Sequence, residues 1–244
     1  MTDAPCRLLA WDTDHWGFPV ATVVSGDRLD GARMAAIEAW CLRHRVRCLY
    51  FCAEAACPTT LATAAEHGFR FVDLKQELAL ELGSEVGTDH FVASVAVRAA
   101  RRDDLPEARR LAAACHRDTR FFKDTTFSPS KAAELYARWI DADFTRGGLL
   151  VATRGGGGDP PIGYVSLSRS PGGRGRLGLL GVGEDHRGRG VGAALLEAAI
   201  ADMRECGCTA LDVATQATNV GALRLYCRRG FLPSQARAWF HRWW

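Results

Sequence analysis

A glycine-rich turn between an apolar run and an apolar-faced helix is the segment of this sequence best suited to chemistry. The turn, Arg187-Gly188-Arg189-Gly190-Val191-Gly192, follows the apolar residues 179–182 and precedes apolar residues that recur at helical spacing. Glycine lets a backbone approach a ligand closely, and the first amides of a helix lack intrahelical acceptors. Because these amides lie at the positive end of the helix dipole, the turn predicts a phosphate or pyrophosphate site.

The spacing of the glycines excludes two common phosphate loops. A Walker loop requires a lysine followed by serine or threonine after its last glycine, and none follows here. A dinucleotide-binding loop has the pattern G-x-G-x-x-G, whereas this turn reads Gly188-x-Gly190-x-Gly192. The pattern that remains is R-x-x-G-x-G, starting at Arg187.

A second candidate element lies about 30 residues further along the chain. It reads Asn219-x-x-Ala222-x-x-Leu225-Tyr226, with Gly230-Phe231 after it. Tyr226 follows Asn219 by about two helical turns, so both residues lie on one face of the expected helix. The ordinary pKa of a tyrosine, about 10, is close to that of a thiol, so Tyr226 is a candidate general acid for a thiolate leaving group.

The turn and the downstream element together resemble the GCN5-related N-acetyltransferase (GNAT) superfamily. The resemblance implies an α/β (α+β) fold, with a mixed central sheet flanked by helices, and acetyl-CoA as the donor. It also implies that the pyrophosphate lies on the amides of 188–193, that the pantetheine arm pairs with the preceding strand like an added strand, and that Tyr226 protonates the thiolate. A bulge near Gly181 or Gly183 would open that strand from its neighbour. The implied cofactor-binding residues are Leu180, Gly181, Val182, Arg187, Gly188, Arg189, Gly190, Val191, Gly192, Asn219 and Ala222.

The N-terminal half resembles the two-domain bacterial dTDP-fucosamine acetyltransferase group of that superfamily. The residues that carry the likeness are Leu9-Ala10-Trp11-Asp12 and Trp16-Gly17-Phe18. The resemblance implies a reduced GNAT-like domain over 1–88, without the CoA loop, and a catalytic acetyl-CoA-binding domain over 89–244. Both halves also end a helix with glycine followed by phenylalanine, at Gly68-Phe69 and Gly230-Phe231.

The expected acceptor is the primary amine of a small molecule, foremost an amino sugar linked to a nucleotide. Arg120, Phe121 and Phe122 are the acceptor-side candidates, because arginine and aromatic rings suit a nucleotide-linked sugar; a hydrophobic cluster under a loop is the alternative for the two phenylalanines. The amine of an antibiotic, an amino acid or a protein is an alternative acceptor, and a non-catalytic acyl-CoA-binding protein is an alternative of another class. No acidic residue lies within 176–182, and none of Glu184, Asp185, His116 and Asp118 is a compelling general base.

Composition and charge argue against several other classes of protein. The net charge of +3, from 31 basic and 28 acidic residues, is too balanced to indicate nucleic-acid binding. No apolar run reaches the length of about 18 residues that a membrane helix needs, and the N-terminus does not read as a signal peptide. The nine cysteines have irregular spacing, which predicts reduced thiols, a cytoplasmic location and no metal site. A homodimer is a further expectation, from the terminal tryptophans Trp239, Trp243 and Trp244.

The hydrophobic pattern predicts alternating strands and helices along both halves. Strands are expected at 6–12, 20–24, 47–54, 69–82, 209–214 and 231–240, and helices at 29–44, 58–67, 104–115, 129–143, 188–206 and 219–229. Residues 116–127 are expected to form a loop.

Overall fold

The structure, a computed structural model, describes residues 4–24, 28–83, 95–155, 158–170 and 172–244. Within these residues it contains no helix that is long and apolar enough to cross a membrane. All nine cysteines lie in the described ranges, and none of them forms a disulfide.

The chain forms two compact units, and each unit contains residues from both halves of the sequence. The first unit consists of 1–76, 119–131 and 235–244, and the second of 77–118 and 132–234. These units differ from the predicted division at residue 88, because 119–131 and 235–244 cluster with the N-terminal residues and 77–83 with the C-terminal ones. Residues 84–94, where that boundary was predicted, lie outside the described residues. The assignment of a reduced domain and a CoA-binding domain stays a prediction.

The first unit is built on a sheet with two helices packed against its apolar side chains. Its elements are β1 Cys6–Leu8, α1 Ala10–Trp16, β2 Val20–Val23, α2 Gly31–Arg43, β3 Cys48–Glu54, α3 Pro58–Glu66, the short helix α5 Arg120–Lys123, the first part of β4 Arg70–Glu81 and the last part of β10 Leu232–Trp243. The strand order is β1-β2-β3-β10-β4, with β2 parallel and β10 antiparallel to β3. Asp30 caps helix α2 from the position before it, since its carboxylate accepts from the Arg33 amide at 2.8 Å. Met34, Ile37 and Cys41 lie on the buried face of α2.

The second unit contains the glycine-rich turn and the downstream tyrosine. Its elements are β5 Ala96–Ala99, α4 Leu105–Cys115, α6 Pro129–Thr145, β6 Leu149–Thr153, β7 Gly163–Ser170, β8 Arg174–Val182, α7 Val191–Glu205, β9 Ala210–Gln216 and α8 Val220–Arg228. Strands β5 to β8 pair antiparallel in sequence order, β9 pairs parallel to β8, and β4 is the next strand after β9. The buried face of α7, with Leu195, Leu196 and Ala199, forms the centre of the core.

Two predicted elements are wrong: the strand over 6–12 and the loop over 116–127. Residues 6–12 form only the short strand β1, because the chain turns into helix α1 at Ala10, and Gly17, at a φ of 81°, ends that helix. The predicted loop 116–127 contains helix α5, which begins after Thr119. The helix–glycine–phenylalanine similarity is present in the structure: Gly68 and Gly230 have φ angles of 76° and 82°, and a strand follows each of them.

Candidate active site

The turn before α7 presents a run of amides that no backbone carbonyl accepts. The Arg187 amide still donates to the Glu184 carbonyl, at 3.2 Å. The next amide with a backbone acceptor is that of Ala194, which donates to the Gly190 carbonyl at 3.0 Å. Within the described part of the chain, the amides of 188–193 therefore have no backbone acceptor. Consecutive donors at a helix N-terminus can bind several oxygens of one anion.

Two glycines give this turn its shape. Gly188 and Gly190 have φ angles of 71° and 81°, in the left-handed region where a side chain costs about 1–2 kcal/mol. A Cβ on Gly188 would meet no atom within 4 Å, so the requirement there is conformational. Arg189 is exposed beside them, while the Arg187 guanidinium turns back and donates from Nε to the Val182 carbonyl at 3.2 Å.

Strand β8 has an open edge directly before this turn. Its ladder with β9 runs from Arg174–Ala210 to Leu177–Val213 and is not continued by the residues that follow. The Gly183 amide donates to the Ile162 carbonyl, on the β7 side. Because peptide groups alternate between the two edges of a strand, those of Leu180 and Val182 point away from β7, toward the open edge. The Val182 carbonyl accepts from Arg187 and from the Cys115 thiol, so the Leu180 peptide and the Val182 amide are the groups left for an added strand.

A β-bulge creates this opening, at a different place from the predicted one. Leu180 pairs with Val165 and Leu177 pairs with Leu167, which leaves one extra residue in β8 at 178–179, not at Gly181 or Gly183. The buried Ser166 hydroxyl accepts from the Leu179 amide at 2.8 Å and replaces the interrupted ladder. A Cβ on Gly178 would lie 2.7 Å from this hydroxyl, so the bulge requires glycine there. No motif in the sequence indicates the role of Ser166, because its partner depends on the register of two strands.

Helix α8 places Tyr226 beside this region. Asn219 caps the helix, and its Oδ1 accepts from the Ala222 amide at 3.1 Å. Tyr226 is 4% exposed and belongs to the core cluster that also includes Leu180 and Val182 at its edge. Burial raises the pKa of the Tyr226 phenol above its ordinary value, so the hydroxyl keeps its proton throughout the physiological range. The side chain of Leu225 lies 3.5 Å from where a Cβ on Gly192 would be, which brings α8 and the turn into contact.

The comparisons with known proteins agree with this geometry. The model of the acetyltransferase (GNAT) family matches residues 109–231. The dTDP-fucosamine acetyltransferase of an Escherichia coli strain is 32% identical over 178 residues, which are 72% of each chain. The chain belongs to the GNAT acetyltransferase family. A mycothiol acetyltransferase of Propionibacterium freudenreichii is 30% identical over 72% of this chain and 55% of its own length. The crystal structure of a GCN5-related N-acetyltransferase from Sphaerobacter thermophilus superposes with a TM-score of 0.70 at 17% identity, over 98% of this chain and 76% of that one.

The chain is therefore an acetyl-CoA-dependent N-acetyltransferase, and its fold is the predicted mixed sheet with flanking helices. Two independent observations show that the second unit could bind a CoA thioester. One is the set of amides over 188–193, which can bind a pyrophosphate. The other is the open edge of β8, which can pair with the amides of a pantetheine arm. Among the described residues no cluster of histidine, cysteine and acidic side chains could hold a metal ion.

This acetyltransferase has no carboxylate on β8 that could act as a general base. The neighbouring half-buried histidine, His116, lies 2.6 Å from the Tyr164 hydroxyl through Nε2 and stacks on Tyr136. Burial, together with the positive charge of Arg187, lowers the pKa of His116 to about 4. The Tyr164 ring in turn packs on Gly181, where a Cβ would lie 2.7 Å from a ring carbon. His116 is therefore neutral, and Gly181 is required for packing as well as for the strand edge.

The acceptor-side candidates lie in the first unit. Phe121 is 2% exposed and packs on Trp16 and Phe127, so it is a core side chain, and Phe122 is half-buried. Arg120 is half-buried, with its guanidinium over three aromatic rings. The terminal tryptophans also have partners within the chain: Trp239 under Arg120, Trp243 donating to Asp124, and Trp244 under Arg242. These tryptophans therefore do not by themselves indicate a dimer interface.

Proposed function

We propose that this enzyme transfers the acetyl group of acetyl-CoA to the primary amine of a nucleotide-linked amino sugar. The main support for acetyl-CoA as the donor is the array of amides from 188 to 193, which lies next to the open edge of β8. The support for the acceptor is the similarity over 72% of both chains to an enzyme that is named for dTDP-fucosamine. Acetyl-CoA supplies the reactive thioester; the chain's own residues position it and handle the protons.

The donor is held by backbone groups on both sides of the bulge. The amides of Gly188 and Gly190 and those of the first turn of α7 would donate to the pyrophosphate, with the exposed Arg189 adding positive charge. The Leu180 peptide and the Val182 amide would pair with the pantetheine arm as a further strand does. Because the bulge fixes the direction of this edge, Ser166 positions the donor without touching it.

Tyr226 is the proposed general acid. A thiolate leaving group needs a proton or a strong hydrogen bond, and the phenol of Tyr226 keeps its proton because burial raises its pKa. The amine must be neutral before it attacks. Since β8 carries no carboxylate and His116 has a pKa of about 4, we propose that the amine loses its proton to water, which suits a sugar amine with a lowered pKa.

A screen of acceptors tests this function directly. Release of free CoA thiol would be measured with acetyl-CoA and four amine classes: a dTDP-linked amino sugar, an aminoglycoside, free amino acids and a peptide with a free N-terminus. We expect kcat/KM for the amino sugar to exceed that of the other classes by about 10²-fold or more, which corresponds to about 2.7 kcal/mol of differential transition-state binding. Equal or higher kcat/KM for any other class would refute the proposed acceptor.

A further inference from the structure

Helix α8, which carries Tyr226, is attached to the second unit by few buried side chains. Within Val220–Arg228 only Tyr226 is buried, and Ala222, Leu223 and Leu225 are partly buried against the core. The other residues of the helix are exposed. A helix of this length is marginal by itself, so tertiary contacts must hold it in place. The position of Tyr226 therefore depends on the contacts that α8 makes with its neighbours.

Two contacts connect the second half of α8 to α7, the helix that follows the glycine-rich turn. In the first, a side-chain carbon of Leu225 lies 3.5 Å from where a Cβ on Gly192 would be. The second is an ion pair between Glu197 of α7 and Arg229, the residue that follows α8. It joins Nε of Arg229 to Oε1 of Glu197, and both atoms are buried. Among the described residues neither side chain has another ion-pair partner.

The two contacts together fix the direction of α8 as well as its position. On α7 they are five residues apart, which is about 7.5 Å along the helix axis. On the α8 side they are four residues apart, or about 6 Å. With the Leu225 contact alone the helix could rotate about that point, and the ion pair prevents this rotation. Tyr226 lies between the two contacts, and its carbonyl accepts from the Arg229 amide at 2.9 Å, so a shift of Arg229 also shifts Tyr226.

This ion pair is better suited to fixing geometry than to adding stability. The side chain of Glu197 is 36% exposed and that of Arg229 is 15% exposed. Water screens the attraction on the exposed side, and the cost of desolvation offsets it on the buried side, so the net gain in the free energy of unfolding is small. A charge-assisted contact is nevertheless directional, whereas an apolar contact allows two helices to slide.

We propose that Glu197 and Arg229 are positioning residues of the acetyl transfer, because their ion pair holds Tyr226 at a fixed distance from the amides of 188–193. Those amides would bind the pyrophosphate of acetyl-CoA, and Tyr226 would protonate its thiolate. The distance between them must therefore match the bound donor. A displacement of about 1 Å in a catalytic group can lower a rate by about 10²-fold. The inference rests on the proposed role of Tyr226 as the general acid.

The test is a double-mutant cycle that combines Glu197→Gln with Tyr226→Phe. The release of CoA thiol would be measured with the acceptor that has the highest kcat/KM in the screen described above. We expect Glu197→Gln alone to lower kcat by about tenfold or more and to leave the Kd of acetyl-CoA, measured by calorimetry, within about twofold. In the Tyr226→Phe background the same change should lower kcat by less than about twofold, because the group that it positions is absent. Arg229→Gln should give the same pattern.

Glu107→Gln is the matched control. The side chain of Glu107 is 30% exposed and pairs with Arg110 within α4, so this variant loses an ion pair of similar exposure elsewhere in the second unit. Its kcat should stay within about twofold of the native value.

The cycle separates a positioning role from a structural one. A loss of kcat by the same factor in both backgrounds would show that the ion pair only supports the fold, and would overturn the inference. An unchanged kcat in Glu197→Gln, or an effect confined to the Kd of acetyl-CoA, would also overturn it and leave Tyr226 as the general acid. A native kcat in Tyr226→Phe would refute the general acid and this inference together. A best acceptor other than the amino sugar would refute the proposed acceptor and leave the cycle valid.

Discussion

The strongest test of the donor site compares two glycines that differ only in their surroundings. Gly188 in the turn before α7 and Gly147 after α6 both have a φ of 71°, and a Cβ on either would meet no atom within 4 Å. Replacing either glycine with aspartate therefore adds the same strain, about 1–2 kcal/mol, and the same charge. Only Gly188→Asp places that charge next to the amides of 188–193.

The expected size of the effect follows from Coulomb's law and mass action. A carboxylate about 5 Å from a phosphate charge, at an effective dielectric constant of about 20, repels it by about 3 kcal/mol, or about 200-fold in affinity. At a concentration of 100 times its Kd, acetyl-CoA stabilises the native fold by about 2.7 kcal/mol. For a chain of this length, that corresponds to a rise in Tm of about 5–11 °C. After a 200-fold loss of affinity, less than about 0.3 kcal/mol of the stabilisation remains, or a rise of about 1 °C.

Differential scanning fluorimetry measures the Tm of the free protein and the rise in Tm that acetyl-CoA causes. We expect Gly188→Asp and Gly147→Asp to lower the Tm of the free protein by similar amounts. Acetyl-CoA should raise the Tm by the full amount in the native protein and in Gly147→Asp, and by no more than about 1 °C in Gly188→Asp. Gly190→Asp is expected to behave as Gly188→Asp does, since its φ is also in the left-handed region. A full acetyl-CoA shift in Gly188→Asp and Gly190→Asp would refute the assignment of the pyrophosphate to these amides.

Three further predictions concern Tyr226, Ser166 and the Arg98–Asp104 pair. Tyr226→Phe should lower kcat by about 10²–10⁴ at nearly unchanged acetyl-CoA affinity, and a kcat within about threefold of the native value in steady-state assays would show that Tyr226 only packs. Ser166→Ala leaves the Leu179 amide without its acceptor, so it should lower the free energy of unfolding in urea by about 1–3 kcal/mol and also lower kcat. An unchanged kcat would show that the bulge keeps its shape without Ser166. Arg98 donates two hydrogen bonds to Asp104 and lowers the pKa of that carboxyl. The pair therefore stabilises the fold fully at pH values above the unfolded pKa of an aspartate, about 3.9. This stabilisation is lost as the pH falls through the lower pKa of the folded state. The difference in Tm between the native protein and Arg98→Gln should therefore be largest near pH 7 and shrink below about pH 4, and a difference independent of pH would contradict this.

The sequence by itself determined the local structure of the donor site. The glycine pattern at 187–192 predicted a turn with available amides, because only glycine adopts the left-handed conformations found at Gly188 and Gly190 without strain. The spacing of Asn219 and Tyr226 predicted a helix with Asn219 near its start and the tyrosine about two turns along. The structure has that helix at Val220–Arg228, and it adds that Asn219 is the cap. These features depend on residues that are close in sequence, so the sequence carries them.

Only the tertiary structure decided the features that join distant segments. The bulge at 178–179 depends on Ser166 in a neighbouring strand, and the pattern of a single strand cannot show that register. The first unit combines 119–131 and 235–244 with the N-terminal residues. Strand β10 belongs to it because β10 pairs with β3, across nearly two hundred residues of chain. For the same reason the side chains around Arg120 could only partly be predicted from the sequence. Arg120 was a candidate from its neighbours, but Asp12, Tyr50 and Trp239 join it only once the sheet of the first unit has formed.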